Sequence, residues 1–172
     1  PDLILYYGWS WIIKKDIINK FQCIMLHPAP LPKYRGGSPL QNQIINGETV
    51  SSVTLFEMDE GIDTGPIIAQ EEFSLDGNLS EILDRITHIG FKLTKKILKK
   101  GFNPVSQDNQ QATEYKRRKP FENEISLDEI KNKPAIYLYN KIRMLQAPYP
   151  NAFIKTVDGK KLLITSSVIE EN

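Results

Sequence analysis

Two side chains have the types and the setting for acid–base chemistry, and they bracket one stretch of chain. His27 is one of two histidines among 172 residues, and it follows the apolar run Cys23 to Leu26. Asp63 lies in the acidic turn Asp59-Glu60-Gly61-Ile62-Asp63-Thr64-Gly65, beyond a second strand-like run. A carboxylate near an imidazole biases its charge and fixes its tautomer. Such a pair can take a proton from an amine nucleophile and steady a tetrahedral oxyanion. Spacing alone suits a loop histidine and a turn-forming aspartate equally well. Other chemistries fall away: two histidines and one cysteine are too few and too scattered for a zinc site. There is no glycine-rich phosphate loop and no serine in a nucleophile elbow. Asp59, Glu60 and Asp63 lack the regular spacing of a calcium loop.

The elements that must position the pair can be read around it. Leu3 to Tyr7 is a continuous apolar run, as in a strand buried on both faces of a parallel sheet. Gly8-Trp9-Ser10 ends it, Trp11 to Phe21 reads as a short helix, and Cys23 to Leu26 is the next strand. A right-handed strand–helix–strand crossover puts the turns after Tyr7 and Leu26 on one sheet edge, where ligands bind in open α/β sheets. Pro28, Pro30 and Pro32 hold the following loop extended, and Gly36-Gly37 lets the backbone turn. Ser38 as N-cap and Pro39 at the first helical position predict a helix to Ile45, stopped by Asn46-Gly47. Thr49 to Met58 and Pro66 to Phe73 read as strands. Asn78 and Glu81 form a capping box, and Leu79, Ile82, Leu83, Ile86, Leu93 and Ile97 follow at helical spacing up to Gly101.

Residues 103–119 are polar and irregular, so the chain divides into a catalytic domain (1–105) and a linker with a small C-terminal subdomain (106–172). In the latter, Ser126 and Glu129 form a second capping box and Pro134 opens a helix. Asp158-Gly159 joins Ala152–Val157 to Lys161–Thr165 in a hairpin outside the main sheet.

Hydrophobic residues at 40% and charged ones at 25% indicate a globular chain. The net charge of +1 gives no chain-wide case for nucleic acid or an anionic membrane. The run Lys116-Arg117-Arg118-Lys119 reads as a solvated face. Cys23 cannot form an internal disulfide, which fits a reducing, cytoplasmic setting; its apolar neighbours make it core rather than nucleophile. No apolar stretch is long enough to span a bilayer and no signal peptide opens the chain. An opening Pro1 in place of Met reads as a fragment lacking an opening segment.

The run His27-Pro28-Ala29-Pro30-Leu31-Pro32-Lys33-Tyr34-Arg35-Gly36-Gly37-Ser38-Pro39, with Asn46-Gly47-Glu48, Val53-Thr54-Leu55 and Met58 to Gly65, resembles the formyltransferases that use 10-formyltetrahydrofolate. These include methionyl-tRNA, glycinamide ribonucleotide and sugar N-formyltransferases. The resemblance covers about residues 1–100. Tyr115–Ile125 and Tyr139–Phe153 look like the region that joins the catalytic domain to the C-terminal part in the tRNA and sugar enzymes.

The resemblance implies an α/β, Rossmann-like domain with a mostly parallel sheet, of which this chain carries the C-terminal half. It implies 10-formyltetrahydrofolate as formyl donor and His27 and Asp63 as catalytic residues. The folate is expected between Tyr7-Gly8-Trp9 and Asp59-Glu60-Gly61-Ile62, with Arg35 and Ser38 at the substrate and at least one of Trp9 and Trp11 packed in the core. The family's asparagine, two residues before the histidine, falls on Met25, which cannot donate a hydrogen bond. Losing one oxyanion donor costs on the order of a hundred- to a thousandfold in rate. Met25 shares a strand face with His27 and is expected to be buried. The expected acceptor is a nucleotide-linked amino sugar. Methionyl-tRNA ranks second because only about fifty near-neutral residues follow Phe121, and glycinamide ribonucleotide third. A non-catalytic folate- or nucleotide-sugar-binding module is the contrasting reading, and a homodimer is the candidate assembly.

Overall fold

The computed structural model describes residues 1–170. In chain order it has β1 (Leu3–Tyr6), α1 (Lys15–Lys20), β2 (Gln22–His27), β3 (Arg35–Gly36), α2 (Pro39–Ile45), β4 (Val50–Glu57) and β5 (Ile67–Ser74). Next come α3 (Leu79–Lys100), β6 (Glu114–Tyr115), α4 (Leu127–Asn132), α5 (Ala135–Arg143), β7 (Ala152–Lys155) and β8 (Lys161–Ile164).

The main sheet has the order β1-β2-β4-β5. The α/β class expected from sequence holds. The mostly parallel pairing applies in this portion only to β1 and β2, which align Tyr6 with Met25. The β2–β4 and β4–β5 pairs are antiparallel. The connections supply the reason: α1 provides the crossover that a parallel pair requires, whereas the turn between β4 and β5 simply reverses the chain. β1 and β2 therefore end on one edge, and His27 is the last residue of β2.

α3 covers one face of this sheet. Its Ile82, Ile86, Ile89, Leu93 and Ile97 pack with Ile24, Val53 and Leu55 in one buried cluster. Each such side chain contributes roughly 1.5–3 kcal/mol when fully buried. The helix starts at the expected capping box: Asn78 Oδ1 accepts from the Glu81 N–H and Glu81 Oε2 from the Asn78 N–H. Gly90 lies on the buried stripe against Leu26, whose Cδ1 would have to shift to admit a Cβ there, 2.4 Å away.

Two local expectations are corrected. The first helix begins at Lys15, not Trp11; Trp11 instead packs edge-on against Trp9, which itself packs edge-on against Tyr6. Both tryptophans are exposed (47% and 70%), so neither is a core residue. Ser38 is no side-chain N-cap: it adopts a left-handed conformation (φ 51°), and its Oγ accepts the Arg118 N–H at 3.1 Å.

Residues 103–119 are fastened to the first part of the chain. Val105 and Ile67 exchange backbone hydrogen bonds, and β6 pairs in parallel with β3. Gly36 and Gly37 permit this approach, since a Cβ would lie 2.4 Å from the Tyr115 oxygen or 2.3 Å from the Arg117 nitrogen. Ile142, Met144, Leu145 and Ala152 join the α3 core, whereas β7 and β8 form their own two-stranded sheet. No helix among the described residues is long and apolar enough to cross a membrane.

Candidate active site

β2 delivers His27 to the sheet edge, and the proline loop wraps over it. His27 Nε2 lies 2.8 Å from the Tyr34 carbonyl oxygen. A carbonyl only accepts, so Nε2 carries the proton. Nδ1 faces Asp63 Oδ2 at 3.6 Å. A neutral ring satisfies only the first contact, while an imidazolium donates toward both. The side chains are only 6% and 12% exposed, so water does little to screen the pair. The Phe56 ring stands edge-on to the imidazole.

The loop under the pair is held by polar side chains, of which Gln43 and Thr54 are buried. Gln43 Nε2 donates to the Pro28 and Pro39 carbonyls, Thr54 Oγ1 to Ala29, and Gln70 Nε2 to Leu31. A proline-rich loop has few N–H donors of its own, and these bonds satisfy its carbonyls from outside. Tyr34 lies stacked on Tyr115 and donates its hydroxyl to Glu48 Oε1 at 2.7 Å. Burial, reinforced by the Glu48 carboxylate, pushes the Tyr34 phenol up to about 12.

Asp63 is reached by a strained turn. Its φ of 54° is left-handed, and Tyr34 and Ser38 share that conformation; for non-glycine residues this costs roughly 1–2 kcal/mol each. Asp63 Oδ2 accepts the Gly36 N–H at 2.8 Å, tying the turn to the loop. Gln107 Nε2 donates to the carbonyls of Asp63 and Gly65 at 2.9 and 2.6 Å. Gly65 has no alternative, because a Cβ would lie 1.8 Å from the Glu57 oxygen.

The residues expected at the folate lie on two segments, one following β1 and one following β4. On one, Gly8 turns with φ 67°, Tyr7 bonds through its hydroxyl to Thr94, and Trp9 presents exposed aromatic surface. On the other, Asp59 Oδ1 accepts from the Gly61 N–H and from Thr64 Oγ1, while Ile62 is exposed. Glu60 pairs with Lys15 at the start of α1. Lys15 also holds the Glu60 carboxyl below its ordinary range.

Arg35 and Ser38, expected at the substrate, are engaged elsewhere. Arg35 is buried, with Nε and Nη2 on Gln107 Oε1 and Nη2 also on Asn109 Oδ1. Met25 is half-buried rather than buried, opposite Phe56 and on the same strand face as His27. Sequence reasoning missed the Tyr34 carbonyl and Gln107. Neither has a sequence signal, since one is backbone and the other lies in a polar segment 44 residues from Asp63.

The fold and site thus define an α/β protein with an acid–base pair at the carboxyl edge of its parallel strands. The formyl transferase family model matches residues 1–98, and the chain belongs to that family. It is 32% identical to the methionyl-tRNA formyltransferase of Nitratiruptor sp., over 97% of this chain and 60% of that protein. It is 35% identical to that of Lachnospira eligens, over 99% of this chain and 55% of that protein. The chain therefore spans between 55% and 60% of the length of these two relatives. Among solved structures, methionyl-tRNA formyltransferase from Clostridium thermocellum matches with a TM-score of 0.85 and 36% identity, over 95% of this chain and 76% of that one. A sugar N-formyltransferase from Shewanella sp. matches in fold with a TM-score of 0.79 at 21% identity, over 98% of this chain and 71% of that one.

Proposed function

We propose that this chain is the formyl-transferring core of an enzyme that moves the formyl group of 10-formyltetrahydrofolate to the amino group of methionyl-tRNA. The observation that carries the transfer chemistry is the shielded His27–Asp63 pair at 3.6 Å, within the segment matched by the family model. The amine attacks the formyl carbon, the bond from that carbon to folate N10 breaks, and one proton passes from the amine to N10. His27 and Asp63 hold that proton in transit. Met25 leaves its strand position without an amide donor, so oxyanion stabilisation falls to His27 and loop backbone groups. Trp9 and Trp11 retain exposed ring surface that suits a flat pterin, and the acidic turn offers polar groups that suit its edge.

The acceptor follows the curated relatives, which are similar along 97–99% of this chain, including residues beyond the family model. The net charge of +1, which favoured an amino sugar, counts only the portion matched to those longer proteins. The test is a formylation assay of the full-length protein with 10-formyltetrahydrofolate and either methionyl-tRNA or nucleotide-linked amino sugars. Formylmethionyl-tRNA formation that His27→Ala abolishes is expected. Formylation of the sugars alone would replace the acceptor, and no formylation of either would overturn the proposal.

A further inference from the structure

Asp63 keeps a left-handed backbone conformation while its carboxylate faces His27, and one amide side chain closes the frame around it. Gln107 Nε2 donates to the Asp63 and Gly65 carbonyls, and Gln107 Oε1 accepts from Arg35 Nε and Nη2 at 3.1 and 2.7 Å. The residue after Arg35 is Gly36, whose N–H donates to Asp63 Oδ2. The result is a closed circuit: Asp63 carboxylate, Gly36 N–H, Arg35 backbone and guanidinium, Gln107 amide, Asp63 carbonyl. Both faces of the Asp63 turn are therefore set by residue 107, nine residues beyond the end of the family match.

We propose that Gln107 is a positioning residue that fixes the Asp63 carboxylate against His27. This rests on the formyl-transfer reading for its consequence in turnover, but not for its geometry. Only an amide fills the position. It donates to two carbonyls at one end and receives a buried guanidinium at the other. A glutamate of the same length would still receive Arg35 but would set carboxylate oxygen against the two carbonyls. An apolar residue would abandon both ends.

That asymmetry gives the test. In Gln107→Glu, the Arg35 contact gains charge and the fold is retained, while the Asp63 turn loses its donor. Histidine-labelled full-length protein is titrated by NMR. The exposed His88 is the only other histidine and serves as an internal reference. The His27 midpoint is expected to move by about half a pH unit or more as the facing carboxylate shifts, with His88 unchanged. The kcat for formyl transfer is expected to fall roughly ten- to a hundredfold, with little change in KM for the folate. An unmoved His27 titration in the folded variant overturns the proposal. If Gln107→Glu does not fold, Arg35→Met combined with Gln107→Met removes the buried charge with its partner, and the same titration decides. A wild type that transfers no formyl group sinks the functional reading, while the titration still judges Gln107.

Discussion

Among the described residues, two shielded pairs of a basic side chain and a carboxylate are built in opposite ways. Lys141 on α5 meets Glu129 on α4 at 2.7 and 2.9 Å, and its third donor reaches the Glu124 carbonyl. Glu129 also accepts from the Tyr137 hydroxyl and, through its capping box, from the Ser126 N–H. Every donor of the ammonium is used, on regular helical backbone. His27 and Asp63, at 3.6 Å, are looser and rest on left-handed backbone at Asp63 and Tyr34. A closed network stabilises and has nothing left to offer a substrate. A pair with slack, held by strained backbone, is the arrangement that the proposed proton transfer needs.

Mutations should separate the two pairs. His27→Ala or Asp63→Asn is expected to lower kcat by about a hundred- to ten-thousandfold, the range for a lost acid–base group, with a nearly unchanged melting temperature. A large loss of stability instead would make the loop pair structural. Lys141→Met should act the other way. It strands the Glu129 carboxylate and costs roughly 3 kcal/mol, a fall in melting temperature of about 6–12 °C for a chain of this size. Residual kcat in the folded fraction should stay near wild type.

The pH dependence of stability sharpens the same contrast. Burial pushes the Glu129 carboxyl up, but the bonds from Lys141, the Ser126 N–H and Tyr137 outweigh it and hold the group below its ordinary value of 4.5. A carboxyl depressed in the folded state contributes stability above its unfolded value and loses it as pH falls through the folded one. The gap in melting temperature between wild type and Lys141→Met should therefore be widest near neutral pH and narrow as pH falls into the acid range, where Glu129 takes up a proton. The smallest effect is expected from Ser126→Ala, which removes the cap on the Glu129 N–H at 3.1 Å. About 1 kcal/mol is typical for such a cap, readable by denaturant unfolding, with formyl transfer untouched.

What could be read from sequence is what local chemistry decides. α2 has the predicted bounds Pro39–Ile45, both capping boxes are present, and the hairpin turns at Asp158-Gly159. The pairing of His27 with Asp63 was expected from their placement beyond separate strands, but the shared edge was not the reason: β2 and β4 are antiparallel and end on opposite edges, and the turn of residues 59–65 folds back to bring Asp63 to Gly36 and His27. What was not legible depends on distant partners. Ser38 has the type of an N-cap, but Arg118 takes its hydroxyl from 80 residues away. Residues 103–119 look like a linker because their polar side chains serve another part of the chain, Gln107 above all. The helix starts at Lys15 rather than Trp11, whose ring instead packs edge-on against Trp9, and Trp9 against Tyr6.

The short β3–β6 ladder has a consequence for how the protein is made. Tyr34 donates its N–H to Thr113 Oγ1, and Ser38 Oγ accepts the Arg118 N–H, across 79 and 80 residues of sequence. A ribosome adding roughly 5–20 residues per second needs on the order of 4–16 seconds between exposing the first partner and the second. Through that interval the sheet and α3 can close on their nearer contacts, while the proline loop waits for strand β6. Loop closure at such separation is entropically costly and slow compared with local pairing. A nascent chain stalled near Lys100 would hold His27 and Asp63 on a folded sheet and still lack the strand that sets them in register.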